Sequence, residues 1–275
     1  MDERPEIRQY RIGDYARHMG VTADLLKHYE QYGLLSPVVT ASGYRYYPFT
    51  QSPQLLKCME LRSYGVPLRG MDAMLHEDDL TAYVGHLDER AEAIRRRMQI
   101  DAALLREHEA LHGWLARMEG RSEDVRVRES APMLFLPHST QYSFIDDPDV
   151  CSLLPQWIPM MPMVKSCLSY PDPLNGQDFH WGLCIREAYA DTLGLPLSGA
   201  VRRIPQGQLM TFSFKGYQPE SGQNLCDALR RRCLDVAAGR GLQPAGEMHL
   251  IIIMQTQEAD GPAYHGLIRM PVRPV

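Results

Sequence analysis

Residues 78–119 hold no proline, and glycine occurs there only at Gly85 and Gly113, before Gly120. Leu80, Val84, Leu87, Ala91, Ile94 and Met98 follow alternating four- and three-residue steps, the seam of a coiled coil. Asp101 breaks the register, and Leu104, Leu111, Leu115 and Met118 resume it with a shift. A helix of about 40 residues is roughly 60 Å long and must bury its stripe on something. Two partners are open: an antiparallel second subunit, or the C-terminal half of the same chain. Either way the helix divides the sequence into a part before it and a part after it.

The part before it centres on residues 10–47. Ile12, Ala16 and Met19 lie on one side of a short helix that Gly20 ends, because glycine tolerates the positive φ of a sharp turn. Thr22 then caps a second helix, 22–32, with Leu25, Leu26 and Tyr29 inward and Lys27 and His28 outward. Gly33 stops it. An aromatic and basic loop, Gly43-Tyr44-Arg45-Tyr46-Tyr47, follows. This is the pattern of a helix-turn-helix with a recognition helix and a wing. Two more helices are expected in 51–75, marked by Leu55, Leu56, Met59 and Leu61, then by Met71, Met74 and Leu75.

The run from Thr22-Ala23-Asp24-Leu25-Leu26-Lys27-His28-Tyr29 to Gly33-Leu34-Leu35, with the Gly43–Tyr47 loop, resembles the DNA-binding signature of the MerR family of transcriptional regulators. Tyr64-Gly65-Val66-Pro67-Leu68-Arg69-Gly70-Met71 matches a further segment of that family, and the resemblance covers about the first 75 residues. It implies a dimer on double-stranded promoter DNA, working with RNA polymerase. Lys27, His28 and Tyr29 would face the major groove, with Thr22 at the start of their helix. Arg17, Tyr44, Arg45 and Arg62 would hold the backbone. Lys27 stands where the family usually has arginine, which keeps a phosphate contact but not a bidentate one. The resemblance also favours the second subunit as partner of the long helix, because two recognition helices need a fixed spacing.

Charge is consistent with this only locally. The net charge is −5, yet residues 1–70 carry nine Lys and Arg against seven Asp and Glu. A hydrophobic content of 44% and a charged content of 23% are ordinary for a soluble globular chain. No run of eighteen apolar residues suggests a membrane span, and the polar N-terminus does not read as a signal peptide, so a cytoplasmic location is expected. The six cysteines show no C-x-x-C spacing and read as buried thiols.

From residue 125 the texture changes. Strands are expected at Val125–Arg128, Met133–Leu136, Trp181–Ile185, Leu209–Phe214, His249–Met254 and Gly266–Val272, with helices at 147–164 and 222–240. The result is an α+β domain of two strand-helix-strand-strand halves. Ile204-Pro205-Gln206-Gly207, Lys215-Gly216 and the closing Met270-Pro271-Val272 make it similar to the GyrI-like effector-binding domain. That domain follows the dimerisation helix in the multidrug-sensing, BmrR-type branch of the MerR family. The expected organisation is a winged helix-turn-helix domain at 1–76, a coiled-coil dimerisation helix at 77–121 and a GyrI-like ligand-binding domain at 122–275.

Several sensing chemistries lack their residues. Residues 59–150 contain no cysteine, so a soft metal would have no thiolates at the end of the long helix. His108 and His112 are spaced i, i+4 but have no third ligand nearby, and an iron–sulfur sensor needs four clustered cysteines. No metal, cofactor or catalytic residue is therefore assigned. Trp157, Met160, Met161, Met163, Tyr170 and Trp181 suggest instead a pocket for a small organic, drug-like molecule. The BmrR-type resemblance implies an acid on a late strand and an aromatic near the last one. Those positions fall on His249 and Tyr264, with Glu247 as a substitute acid, and a second family acid position is Leu267. The expected ligand set is Trp157, Tyr170, Trp181, Phe214, Glu247, His249 and Tyr264. The function expected is a ligand-responsive regulator, an activator that distorts promoter DNA. The alternative is a domain that sequesters or hydrolyses a toxic small molecule through His249 and Glu247, with DNA binding serving autoregulation.

Overall fold

A computed structural model describes residues 6–217, 224–259 and 261–275. The chain separates into two compact units, Met1–Arg97 and Met98–Val275.

The first unit opens with β1 (Gln9–Arg11), α1 (Ile12–Met19) and α2 (Ala23–Gln31). Gly20 adopts φ 68° and its amide closes the end of α1 on the carbonyls of Ala16 and Arg17. The Thr22 hydroxyl accepts the Leu25 amide at 3.1 Å, a cap that contributes about 1 kcal/mol. Gly33, at φ 72°, turns the chain out of α2. β2 (Val38–Val39) and β3 (Arg45–Pro48) form the wing, and β1 pairs with the other side of β3. Strand β1 was not expected, since three residues leave no alternation to read. α3 (Ser52–Ser63) and α4 (Leu68–His76) complete a core in which the Tyr15 and Tyr47 rings stack with centroids 4.9 Å apart.

α5 (Leu80–Met118) is one helix of 39 residues, and its residues fall in both units. Tyr83 and Leu87 pack on the helix-turn-helix core. Leu80, Val84, Ile94 and Met98 are exposed, Leu80 at 79% and Met98 at 65%. Later in the helix, Ala103, Glu107, Trp114 and Met118 are buried. Their steps of four, seven and four put them on one stripe. That stripe packs within the second unit, so this half of α5 is committed to its own chain.

The second unit is built on one antiparallel sheet. In chain order it contains β4 (Glu123–Ser130), β5 (Met133–Pro137), β6 (Ser139–Thr140), β7 (Ser143–Phe144), α6 (Pro148–Trp157), β8 (Lys165–Tyr170) and β9 (His180–Arg186). Then come α7 (Glu187–Leu193), β10 (Arg202–Ile204), β11 (Gly207–Tyr217), α8 (Leu225–Ala238), β12 (Leu242–Pro244), β13 (Met248–Glu258) and β14 (Gly261–Pro274). The sheet order is β10-β5-β9-β8-β13-β14-β11-β4. The two expected halves are present as β5-α6-β8-β9 and β11-α8-β13-β14. Strands β8 and β13 join them through four register pairs, Met248 with Tyr170 to Ile251 with Cys167. The helix expected at 147–164 stops at Trp157 and gives way to a 3-10 turn at Ile158–Met160. Pro159 and Pro162 lack the amides that would continue it. Strand β8 and helix α7 occupy stretches for which the sequence pattern predicts no element.

Strand alternation sorts the sheet into two faces. Leu134, Leu136, Leu183 and Ile185 pack with α6 and α7, while Leu168, Met210, Phe212, Leu250 and Ile268 pack with α8. The residues between them, including Met133, Cys167, Cys184, Ile251 and Leu267, form the opposite face. The later half of α5 meets that face, and the Trp114 indole N–H donates to the Ser213 hydroxyl at 3.1 Å.

Candidate DNA interface and effector cleft

The first unit presents its polar face along α2 and the wing. Lys27 and His28 are exposed on α2 because Leu26 and Tyr29 take the inward positions. Lys27 holds Asp24 at 3.2 Å, and His28 approaches Gln31 at 3.4 Å, both local contacts that a ligand can displace. Arg17 is exposed beside Asp14 at 3.0 Å. Tyr44 is exposed near the wing turn, with the Arg11 guanidinium 5.2 Å from its ring centroid. Arg62 is exposed near the end of α3, with no ion-pair partner among the described residues.

One residue of the expected interface is differently placed. Tyr29 is fully buried in the helix-turn-helix core, so it faces away from any groove. Its position three residues after Leu26 on the inward side of α2 decides this. Thr22 uses its hydroxyl to cap α2. Arg45 is exposed, but its Nε donates to Glu30 at 2.9 Å. Glu30 also accepts from the Tyr47 hydroxyl. Burial, then that carboxylate, pushes the Tyr47 phenol well above its ordinary range. Glu30 therefore ties the wing strand β3 to α2, a role not foreseen from the sequence.

The second unit contains a cleft between the later half of α5 and the open sheet face. Two adjoining cavities, about 320 and 330 Å³, share Glu107, Arg128, Lys165, Arg186, Thr211 and Leu267 as walls. Met133, Met163, Leu209 and Ile251 supply apolar lining to the first, and Trp114 closes part of the second. Glu107 is the buried acid of the cleft. Its carboxylate lies 2.8 Å from Lys165 Nζ and 3.8 Å from the Arg186 guanidinium. Arg269 enters from β14 with its Nη1 on the Met133 sulfur at 2.6 Å and its Nη2 on the Ala131 carbonyl at 3.4 Å. Burial lowers the proton affinity of Arg269, and the neighbouring Arg186 and Arg128 lower it further.

None of the seven residues in the expected ligand set lines these cavities. Trp157 is fully buried among α6 and α7 residues, with its indole N–H on the Pro196 carbonyl at 3.2 Å. Tyr170 and Phe214 are buried in the core beneath α8, where Trp181 and Tyr264 also pack. All four lie on strand positions that face the helices. His249 has the parity of the open face, but the Phe135 ring stands edge-on to it at 5.6 Å and it is 1% exposed. Its Nε2 has no hydrogen-bond partner among the described residues and sits 3.6 Å from the Glu247 carboxylate. Burial, then the positive field of Arg269 and Arg202, holds the imidazole down at about 3, so it is neutral and the contact with Glu247 is not an ion pair. Glu247 is occupied by the Ser169 hydroxyl and by Arg202 at 3.6 Å. Glu107 has a signal in the sequence: it stands on the same helix stripe as Ala103, Trp114 and Met118, where an apolar side chain is the ordinary occupant. His108 and His112 meet edge to face at 4.4 Å on the exposed side of α5.

The first unit is thus a winged helix-turn-helix, a DNA-binding class of fold. Residues 10–78 match the profile of the MerR HTH family regulatory protein, and the chain carries a MerR-family helix-turn-helix domain at its N-terminus. It is similar to the transcriptional regulator BrlR of Pseudomonas aeruginosa, with 25% identity over 249 residues that span 85% of this chain and 88% of that protein. Among solved structures, the N-terminus of MtaN, the Bacillus subtilis multidrug transporter activator, is 26% identical. It covers 37% of this chain and 97% of its own at a TM-score of 0.31. The EcmrR–DNA complex is 16% identical and covers 97% of this chain and 100% of its own at a TM-score of 0.36.

Proposed function

We propose that this protein is a ligand-responsive transcriptional regulator that works in the cytoplasm as a dimer on two-fold promoter DNA. The observation that carries the reading is the division of labour along α5. Its earlier residues leave an apolar stripe uncovered, and its later residues wall a cleft of small-molecule size. The stripe suits an antiparallel copy of the same helix, which would set the spacing of two recognition helices. Lys27 and His28 would read the major groove, while Arg17, Tyr44, Arg45 and Arg62 would hold phosphates. A small organic effector in the cleft would bear directly on α5 through Glu107 and Trp114. Activation would follow if the liganded dimer favours a distorted promoter, since deformation of DNA is an energy that differential binding can tip. RNA polymerase would then engage that promoter.

The alternative, hydrolysis by a His249–Glu247 pair, draws little support from the geometry. A general base needs access and a proton affinity near the working pH. His249 is 1% exposed and held at about 3.

The test is selection of DNA from a random-sequence pool by the full-length protein, followed by footprinting and transcription in vitro. The expected result is a two-fold site within a promoter and a transcript level that an added effector changes. Failure to select any sequence overturns the regulator reading. Turnover of a candidate compound by the full-length protein overturns the pure sensor.

A further inference from the structure

The charges of the cleft do not cancel. Its two cavities are walled by six cationic side chains against three carboxylates. Each carboxylate already has a partner within the protein. Glu107 is taken by Lys165 and Arg186, Asp124 lies 2.9 Å from Arg126, and Glu129 accepts from Gln206 at 2.7 Å. Arg117, Arg128 and Arg269 are left with no acidic partner among the described residues; Arg117 bonds the Gly113 carbonyl at 2.6 Å, and of the three only Arg128 and Arg269 border the first cavity. Arg269 meets a thioether sulfur and one distant carbonyl, and a thioether is a weak acceptor. A guanidinium in such surroundings is under-satisfied, and its strongest remaining partner is a carboxylate, which it meets with two parallel bonds. A cationic guest would instead meet cations whose only nearby acids are spoken for. Beside the two arginines the wall is apolar: Met133, Leu209, Ile251 and Leu267.

We propose that the effector of this cleft is an amphipathic anion, an apolar molecule bearing one carboxylate. The carboxylate meets Arg269 and Arg128, and the apolar body lies along Met133, Leu209, Ile251 and Leu267. The proposal rests on the reading of the cleft as the effector site and adds the chemical class of what fills it. It also gives Glu107 a part. Glu107 offsets part of the charge of Lys165 and Arg186, which leaves Arg269 and Arg128 as the cations of the first cavity without an acid.

The experiment is calorimetric titration of the full-length protein with three probes of one chain length: decanoate, decanamide and decyltrimethylammonium. Decanoate is expected to bind at least about tenfold more tightly than decanamide, the factor that one charge-assisted bond supplies. Decyltrimethylammonium is expected to bind more weakly than either. Arg269→Gln and Arg128→Gln should each bring decanoate towards decanamide while leaving decanamide unchanged. Arg128 is exposed, so its variant keeps the test sound should Arg269→Gln fold poorly. Equal binding of decanoate and decanamide, tighter binding of the ammonium probe, or indifference of decanoate to Arg128→Gln overturns the anion. Absence of binding by all three overturns the reading of the cleft as the effector site.

Discussion

Arg45 Nε donates to Glu30 Oε2 at 2.9 Å, joining the wing strand β3 to α2. Glu30 also receives the Tyr47 hydroxyl, so one carboxylate braces two wing residues. If bracing is the purpose, Glu30→Gln should weaken operator binding by up to about tenfold without changing its salt dependence. Arg45→Gln should do the same and also lower the salt slope by about one if Arg45 touches phosphate. Fluorescence anisotropy across a salt series separates the two roles.

Tyr29 shows what a buried polar atom costs. Its hydroxyl has no hydrogen-bond partner inside the helix-turn-helix core. Tyr29→Phe should therefore leave stability unchanged or raise it by up to about 1 kcal/mol, because the removed group is an uncompensated one. Operator affinity should not move. A loss of affinity in this variant, with an unaltered denaturation curve, would return Tyr29 to the DNA surface.

The exposed stripe on α5 predicts a change of assembly. Replacing Ile94 and Met98 together by glutamate should convert the proposed dimer to a monomer in sedimentation velocity. The helix-turn-helix core should keep its melting transition, since both side chains are exposed and neither belongs to that core. Operator binding should fall with the dimer, because a single half-site holds one recognition helix.

His249 predicts how acid acts on the second unit. Its folded value of about 3 lies below the ordinary 6.5. The unfolded chain therefore binds the extra proton between these limits, and folding stability falls as pH drops from about 6.5. The slope from this one site is at most about 1.4 kcal/mol per pH unit. The groups around it are Glu247 at 3.6 Å and the cations Arg202 and Arg269. His249→Asn should flatten the loss between pH 6.5 and 4.5 in urea titrations, while a variant as acid-sensitive as the parent would remove His249 as the source.

The helix-turn-helix was legible because its signals are local. Gly20, Thr22 and Gly33 each act on the backbone within a turn of their own position, and the spacing of Leu26 and Tyr29 states which side is inward. Most strands of the two sheet halves were legible for the same reason, as runs of alternating or apolar residues, but β8 was not, because its neighbours read as one helix. The cleft was not. Its walls come from α5, β4, β5, β8, β9, β11, β13 and β14, and which side of each strand faces α5 is a property of pairing. A one-residue change of parity moves Phe214 or Tyr264 from open face to core. An aromatic side chain reads alike in either place, and so the pattern that suggests Trp157, Tyr170 and Phe214 as lining is equally that of core, where they lie. Glu107 was overlooked because a charged residue on a long helix is ordinarily solvated.

The four-pair junction of β8 with β13 has a consequence for mechanics. The backbone ladder crosses between the halves only at these four pairs, with side chains such as Arg269 on Met133 and Arg230 on the Pro173 carbonyl added to them, so the suture is a place where the sheet can flex or shear. Met133, Lys165 and Cys184 line the cleft from one side of the suture, and Leu209, Ile251 and Arg269 from the other. A molecule seated there would act as a clasp across the join. Its occupancy should be visible as slowed amide exchange at Cys167, Leu168, Leu250 and Ile251, residues that form the seam itself.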